Sequence, residues 1–203
     1  MASNGFEVYS KRQQFFTDYL PELLARRLED FHWQTGLELG CGDGSLLKLL
    51  EAKGYFHSKQ VIALDASPIR LKSAQSVTEH AAVVLGDACH IGIKDNSVDL
   101  VITSQVIEHV EDDALMSDEM FRILSNGGLA YISTVYKKRF AWYFYRCNGK
   151  WTLDPTHLRE YTNDLQLVSK LEKSGFSVLQ NAKIADSRPI MDAILRRLGC
   201  NRR

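Results

Sequence analysis

The chain has 203 residues, 45% of them hydrophobic and 25% charged, with a formal net charge of +0. That length suits one domain with a substantial core, and the neutral balance leaves no global field to draw in nucleic acid or an acidic membrane. Cys41, Cys89, Cys147 and Cys200 stand apart with no C-x-x-C pair, which argues against a zinc framework or disulfides and for a reducing cytoplasm. Residues 1–10 hold no apolar signal core, and no later run is long enough to span a bilayer.

In chain order, residues 11–31 place Phe15, Phe16, Tyr19, Leu20, Leu23, Leu24 and Leu28 at helical spacing. Pro21 should kink this run or start a second helix. Residues 35–40 read as a first strand, which runs into glycines at alternate positions, Gly40, Gly42 and Gly44. Glycine lets backbone adopt positive φ and approach a ligand closely. The next residues, 46–50, are helix-forming and apolar on one side. A strand, a glycine turn and a helix at this spacing form the ligand mouth of a doubly wound α/β sheet.

A second strand over 60–65 leads into Ser67-Pro68, a cap followed by proline at the first helical position, with the helix running to about Glu79. Strands follow over 81–85 and 98–103. A helix over 112–124 is stopped by Asn126-Gly127-Gly128, and a fifth strand covers 129–135. Thr162 caps a helix to Lys173, Gly175 ends it, and 176–184 reads as a sixth strand. Residues 188–198 read as one more helix before a basic tail containing Arg202 and Arg203, a tail expected to be solvated. Strand and helix alternate, so the expected fold class is α/β: a doubly wound, mostly parallel, Rossmann-like sheet with helices on both faces. The whole chain, 1–203, is expected to be one domain, with 11–31 as an N-terminal helical cap and 136–161 as a substrate lid.

Ligands in such sheets bind beyond the carboxyl ends of the strands. Asp65 ends the second strand, where a carboxylate accepts from ribose hydroxyls or caps the next helix. Asp87 follows the third strand, either accepting from an adenine amine beside the Ala88 backbone or closing a turn. After the fourth strand, Ser104, Gln105, Glu108 and His109 project toward the mouth, His109 as a general base or as a loop anchor. The segment 137–146 interleaves lysines and arginines with aromatics. It reads as a lid against an aromatic, lipid-like or anionic partner, with peripheral membrane contact an option, or as a packed helix.

Together these segments resemble class I S-adenosylmethionine (SAM) dependent methyltransferases, in the type 11 and ubiquinone-biosynthesis-like group. The resemblance lies in Glu38-Leu39-Gly40-Cys41-Gly42-Asp43-Gly44, Asp65, Gly86-Asp87-Ala88, Ser97-Val98-Asp99-Leu100-Val101 and Val106-Ile107-Glu108-His109-Val110. It continues in Leu124-Ser125-Asn126-Gly127-Gly128, in His157-Leu158-Arg159-Glu160-Tyr161-Thr162 and in Lys173-Ser174-Gly175-Phe176, covering roughly residues 30 to 185. It implies SAM as cofactor, S-adenosylhomocysteine as product, and a cofactor site of Glu38, Gly40, Cys41, Gly42, Gly44, Asp65, Ala66, Asp87, Ala88, Ser104 and Gln105. Members commonly end on an antiparallel edge strand. None is readable here, so the sheet is expected to lack that edge or the sequence to stop before it.

The charge pattern agrees. SAM is a sulfonium cation without phosphate, and the mouth offers Glu38, Asp43, Asp65 and Asp87. A dinucleotide would put its pyrophosphate on the helix start and place a third glycine where Ser45 stands. The expected reaction is methyl transfer to a small-molecule oxygen, carbon or nitrogen nucleophile, with His109 or His157 as base. Small-RNA terminal 2′-O-methyltransferases hold a metal with a Glu-x-x-Glu-His run and a later histidine. Here Gln105 takes the first place, so Glu108, His109 and His157 form an incomplete set and no metal is expected. An RNA-directed 2′-O-type enzyme and a SAM-binding, non-catalytic partner subunit are the alternatives.

Overall fold

The computed structural model describes residues 19–138, 145–147, 150–154 and 156–184. Five apolar runs become β1 (Thr35–Leu39), β2 (Gln60–Asp65), β3 (Ala81–Leu85), β4 (Val98–Ser104) and β5 (Leu124–Ser133). All pair in parallel in the order β3-β2-β1-β4-β5. This is the expected α/β sheet, and among the described residues it carries no antiparallel edge strand. Between them lie α1 (Glu22–Asp30), α2 (Ser45–Ala52), α3 (Pro68–Gln75), α4 (Asp113–Ile123) and α5 (Asp164–Lys173).

Side chains alternate across a strand, so each face of the sheet has its own core. Leu24 and Leu28 of α1, Leu47 and Leu50 of α2 and Leu71 and Ala74 of α3 pack with Val61, Ala63, Leu100 and Ile102 on one face. Met116, Met120 and Ile123 of α4 and Leu171 of α5 pack with Leu37, Leu39, Leu64 and Val101 on the other. The strand order reverses between β1 and β4, and the crevice at their carboxyl ends is where such a sheet takes a ligand.

Several boundaries differ from the sequence reading. Pro21 starts a helix, as the N-cap of α1; residues 11–18 lie outside the described residues. α3 stops at Gln75, four residues short of Glu79, because Glu51 on α2 takes the amide of Glu79 (3.0 Å), the hydroxyl of Thr78 and His80 Nδ1 (2.6 Å). β5 begins at Leu124 rather than Leu129. Leu124 already pairs with Val98, and Gly127 at φ +80° lets the intervening residues bulge before Leu129 pairs with Leu100. The cap of α5 is Asn163, in a capping box with Gln166, instead of Thr162.

The expected sixth strand over 176–184 is not a strand. Phe176 turns in against Phe121 with ring centroids 5.3 Å apart, and the rest pairs with no strand among the described residues. Within the expected lid, β6 (Tyr145–Cys147) and β7 (Lys150–Thr152) pair antiparallel. Its aromatic centre, residues 139–144, and the expected helix at 188–198 lie outside the described residues.

Candidate functional site

β1 turns into α2 through three glycines with positive φ: Gly40 at +77°, Gly42 at +55° and Gly44 at +80°. Amides of Gly40 and Cys41 donate to Leu64 O at 2.7 and 3.0 Å, tying the turn to the end of β2. The three glycines do different work. A Cβ on Gly40 would lie 2.2 Å from Val106 Cγ2, and one on Gly44 would lie 2.9 Å from the Ala74 backbone. Both are glycine for the protein's own packing. A Cβ on Gly42 would meet only the Arg70 guanidinium at 3.6 Å, so this is where the turn faces the mouth.

Glu38 lies under that turn on the central strand, between Ala63 and Ile102. It is buried, and its Oε2 has no hydrogen-bond partner. Burial, with Asp65 close by, pushes its carboxyl up to about 8. An orphaned buried carboxyl oxygen is costly unless a cation or donor completes it. Burial, followed by the charges of Glu38 and Asp65, also drives the Cys41 thiol upward, which keeps it protonated and unreactive.

Asp65 accepts from the amide of Gly42 at 2.8 Å and from that of Ser67 at 2.8 Å. It therefore braces both the glycine turn and the start of α3, where the Ser67 side chain accepts from Arg70 N at 3.4 Å. Each carboxylate oxygen keeps a further acceptor site. Ala66 follows it, exposed. Asp87 is exposed; it accepts from the amide of Cys89 at 2.8 Å and pairs with His90 Nδ1 at 3.3 Å, while Ala88 is buried.

At the end of β4, Ser104 Oγ meets Ser133 Oγ at 2.8 Å. Gln105 holds φ +58°, a left-handed conformation unusual for a non-glycine residue and common at functional strand ends. Glu108 is fully buried, accepts from the Thr134 hydroxyl through Oε2 at 2.8 Å, and leaves Oε1 without a partner. Burial raises its carboxyl pKa. His109 Nδ1 lies 3.2 Å from Thr156 O, and burial, then the neighbouring His157, lowers its pKa.

The structure brings His157, 48 positions further along, onto His109 with ring centroids 4.9 Å apart and an edge-on angle of 64°. Arg159 is the reason. Its guanidinium donates to the carbonyls of Ile107 (3.0 Å), Val110 (2.5 Å) and Glu111 (2.6 Å), while the Leu158 amide donates to Glu108 O (3.0 Å). Tyr161 adds a 2.8 Å hydrogen bond to Asp113 at the start of α4.

Sequence reasoning missed Arg70, a buried arginine whose charge reaches both Gly42 and His109. It also missed Thr134, Thr156 and Glu160, the hydrogen-bond partners of Glu108, His109 and His157. Glu160 had a signal, standing three residues after a histidine it pairs with; the others had none.

Residues 37–132 match the family described as methyltransferase domain. A probable S-adenosylmethionine-dependent methyltransferase of Mycolicibacterium smegmatis is 33% identical over 143 residues, 70% of this chain and 51% of the relative. The chain thus spans about half the length of that relative. Among solved structures, the putative methyltransferase of Haloferax volcanii in complex with the Trm112 methyltransferase activator aligns at TM-score 0.68 and 19% identity, over 92% of this chain and 81% of that one. The [4+2]-cyclase SpnF aligns at TM-score 0.63 and 21% identity, over 80% and 58%. Both show the fold alone.

Proposed function

We propose that this chain, which carries a SAM-dependent methyltransferase domain, moves the methyl group of SAM onto a small-molecule acceptor, most readily an oxygen nucleophile. The observation that carries the cofactor half is Glu38: a buried carboxyl with an orphaned oxygen beneath a turn of positive-φ glycines. A cation with a close backbone approach fits that mouth, whereas a pyrophosphate would meet acids. Bound there, SAM supplies a methyl group already activated by its positive sulfur.

The residues that would hold it are Glu38 and the Gly40–Gly44 turn toward its amino acid end, Asp65 and Ala66 at the ribose, Asp87 and Ala88 at the adenine, and Ser104 and Gln105 beside the reacting end. The protein's share is then position, exclusion of water and removal of the acceptor's proton. His109, whose pKa burial lowers, and His157 are the groups placed to promote that removal. Cys41, held protonated, is no nucleophile.

The test is a screen of hydroxyl-bearing acceptors with methyl-labelled SAM, read by product mass, on the wild type and on the His109→Ala/His157→Ala double variant. The double variant should lose turnover at least ~100-fold while still binding S-adenosylhomocysteine. Unchanged turnover would remove both histidines from the reaction.

A further inference from the structure

We infer that Glu108, His109 and His157 form a binding site for a divalent transition-metal cation, Zn²⁺ in the first place, on the acceptor side of the glycine turn. One ligand atom from each of the three lies within 4.8 Å of the others. Two imidazoles and one carboxylate are a donor set that suits Zn²⁺ and its neighbours better than Mg²⁺ or Ca²⁺, which prefer oxygen.

The set is oriented as metal ligands are. A ligating histidine donates its other ring N–H to a carbonyl or carboxylate, and a ligating carboxylate is itself hydrogen-bonded. His109 Nδ1 lies 3.2 Å from Thr156 O, and Thr156 is fixed in turn by Asp154 through its amide (2.8 Å) and hydroxyl (2.6 Å). His157 Nδ1 lies 3.2 Å from Glu160 Oε1, with both side chains buried and Lys137 pairing the other Glu160 oxygen at 2.8 Å. Both rings are thereby set in the tautomer whose lone pair is on Nε2. The Thr134 hydroxyl holds Glu108 Oε2, and the fully buried Oε1 has no hydrogen-bond partner among the described residues. An unpartnered oxygen on a residue shut off from water, clustered with two imidazoles that are each hydrogen-bonded through Nδ1, is the observation that points to a ligand.

Gln105 in place of a fourth donor does not spoil the set. Three protein ligands with an open position are the pattern of catalytic rather than structural zinc. Resting on the methyl-transfer reading, that open position is where an acceptor hydroxyl would sit. Its O–H bond would break and release the proton to solvent at lower pH than for the free alcohol, with the histidines acting as ligands rather than as bases.

The experiment strips the full chain with a chelator, saturates it with S-adenosylhomocysteine, and titrates Zn²⁺ by calorimetry, with Co²⁺ absorption spectra as a second readout. One equivalent should bind the wild type, with a Co²⁺ spectrum of low coordination number. Glu108→Gln and Glu160→Gln should each weaken Zn²⁺ at least ~10-fold, and both should keep their thermal shift with S-adenosylhomocysteine, which shows that they fold. Equal Zn²⁺ affinity in the wild type and the two variants overturns the site. Loss of the S-adenosylhomocysteine shift in the wild type would instead overturn the cofactor reading and leave the Zn²⁺ titration to stand by itself.

Discussion

Glu38 faces away from Leu37 and Leu39 and is buried at the centre of the sheet, so its ionised form is costly. Its pKa is raised from 4.5 to about 8. Between those values the folded protein holds a proton that the unfolded chain releases, so stability falls as pH rises through that window and levels off above it. Glu38→Gln removes the ionisation. The melting temperature of the variant should gain on the wild type from pH 5 to pH 8 and gain no further beyond, as differential scanning calorimetry would show. The α-ammonium group that S-adenosylhomocysteine shares with SAM favours the ionised form, so either should displace a proton at pH 7. Calorimetry in buffers of different ionisation enthalpy measures that release, and Glu38→Gln should abolish it.

The glycines make a sharper contrast at the same scale. Gly40→Ala drives a methyl into Val106 at a positive φ and should cost about 2 kcal/mol or more by urea unfolding. Gly42→Ala meets only the Arg70 guanidinium, at an ordinary 3.6 Å contact, so its stability cost should be smaller and its loss of cofactor affinity larger. All three glycines were legible as one motif in the sequence. Which two serve packing was not, because Val106 and Ala74 come from other elements.

At the scale of elements, the Arg159 side chain makes the most hydrogen bonds among those that hold the segment around His157 on the loop after β4. Arg159 satisfies three carbonyls there and also faces Asp113 at 3.4 Å. Arg159→Ala should cost about 2–3 kcal/mol and release His157 from His109. The expected kinetic signature is lost turnover with unchanged S-adenosylhomocysteine affinity, since Arg159 bonds the carbonyls of Ile107, Val110 and Glu111 rather than Val106, the residue that meets Gly40. Local signals made most of the elements readable: Ser67-Pro68 starts α3, and the apolar runs of β1 to β4 end within one residue of expectation. Readings failed where a distant partner decides. Glu51 ends α3 early, pairing with Val98 extends β5 backward, and residues 176–184, read as a strand, have no partner strand among the described residues.

At the scale of the whole molecule, the strand order β3-β2-β1-β4-β5 brings together two groups far apart in sequence: the acids and glycines of β1 and β2, and the Glu108–His109–His157 cluster beyond β4. Arg70 bridges them, with its guanidinium over Gly42 and its charge reaching His109. The fold does not fix the chemistry, since a [4+2]-cyclase shares it; the site residues have to. Among the described residues no helix is long and apolar enough to cross a membrane. Calorimetric titration of the wild-type chain with S-adenosylhomocysteine, beside Gly42→Ala and beside NADH, tests the account most directly. The expected result is saturable binding of one S-adenosylhomocysteine with proton release, loss of that binding in Gly42→Ala, and no heat from NADH. NADH binding, or no S-adenosylhomocysteine binding by the wild type, would contradict it.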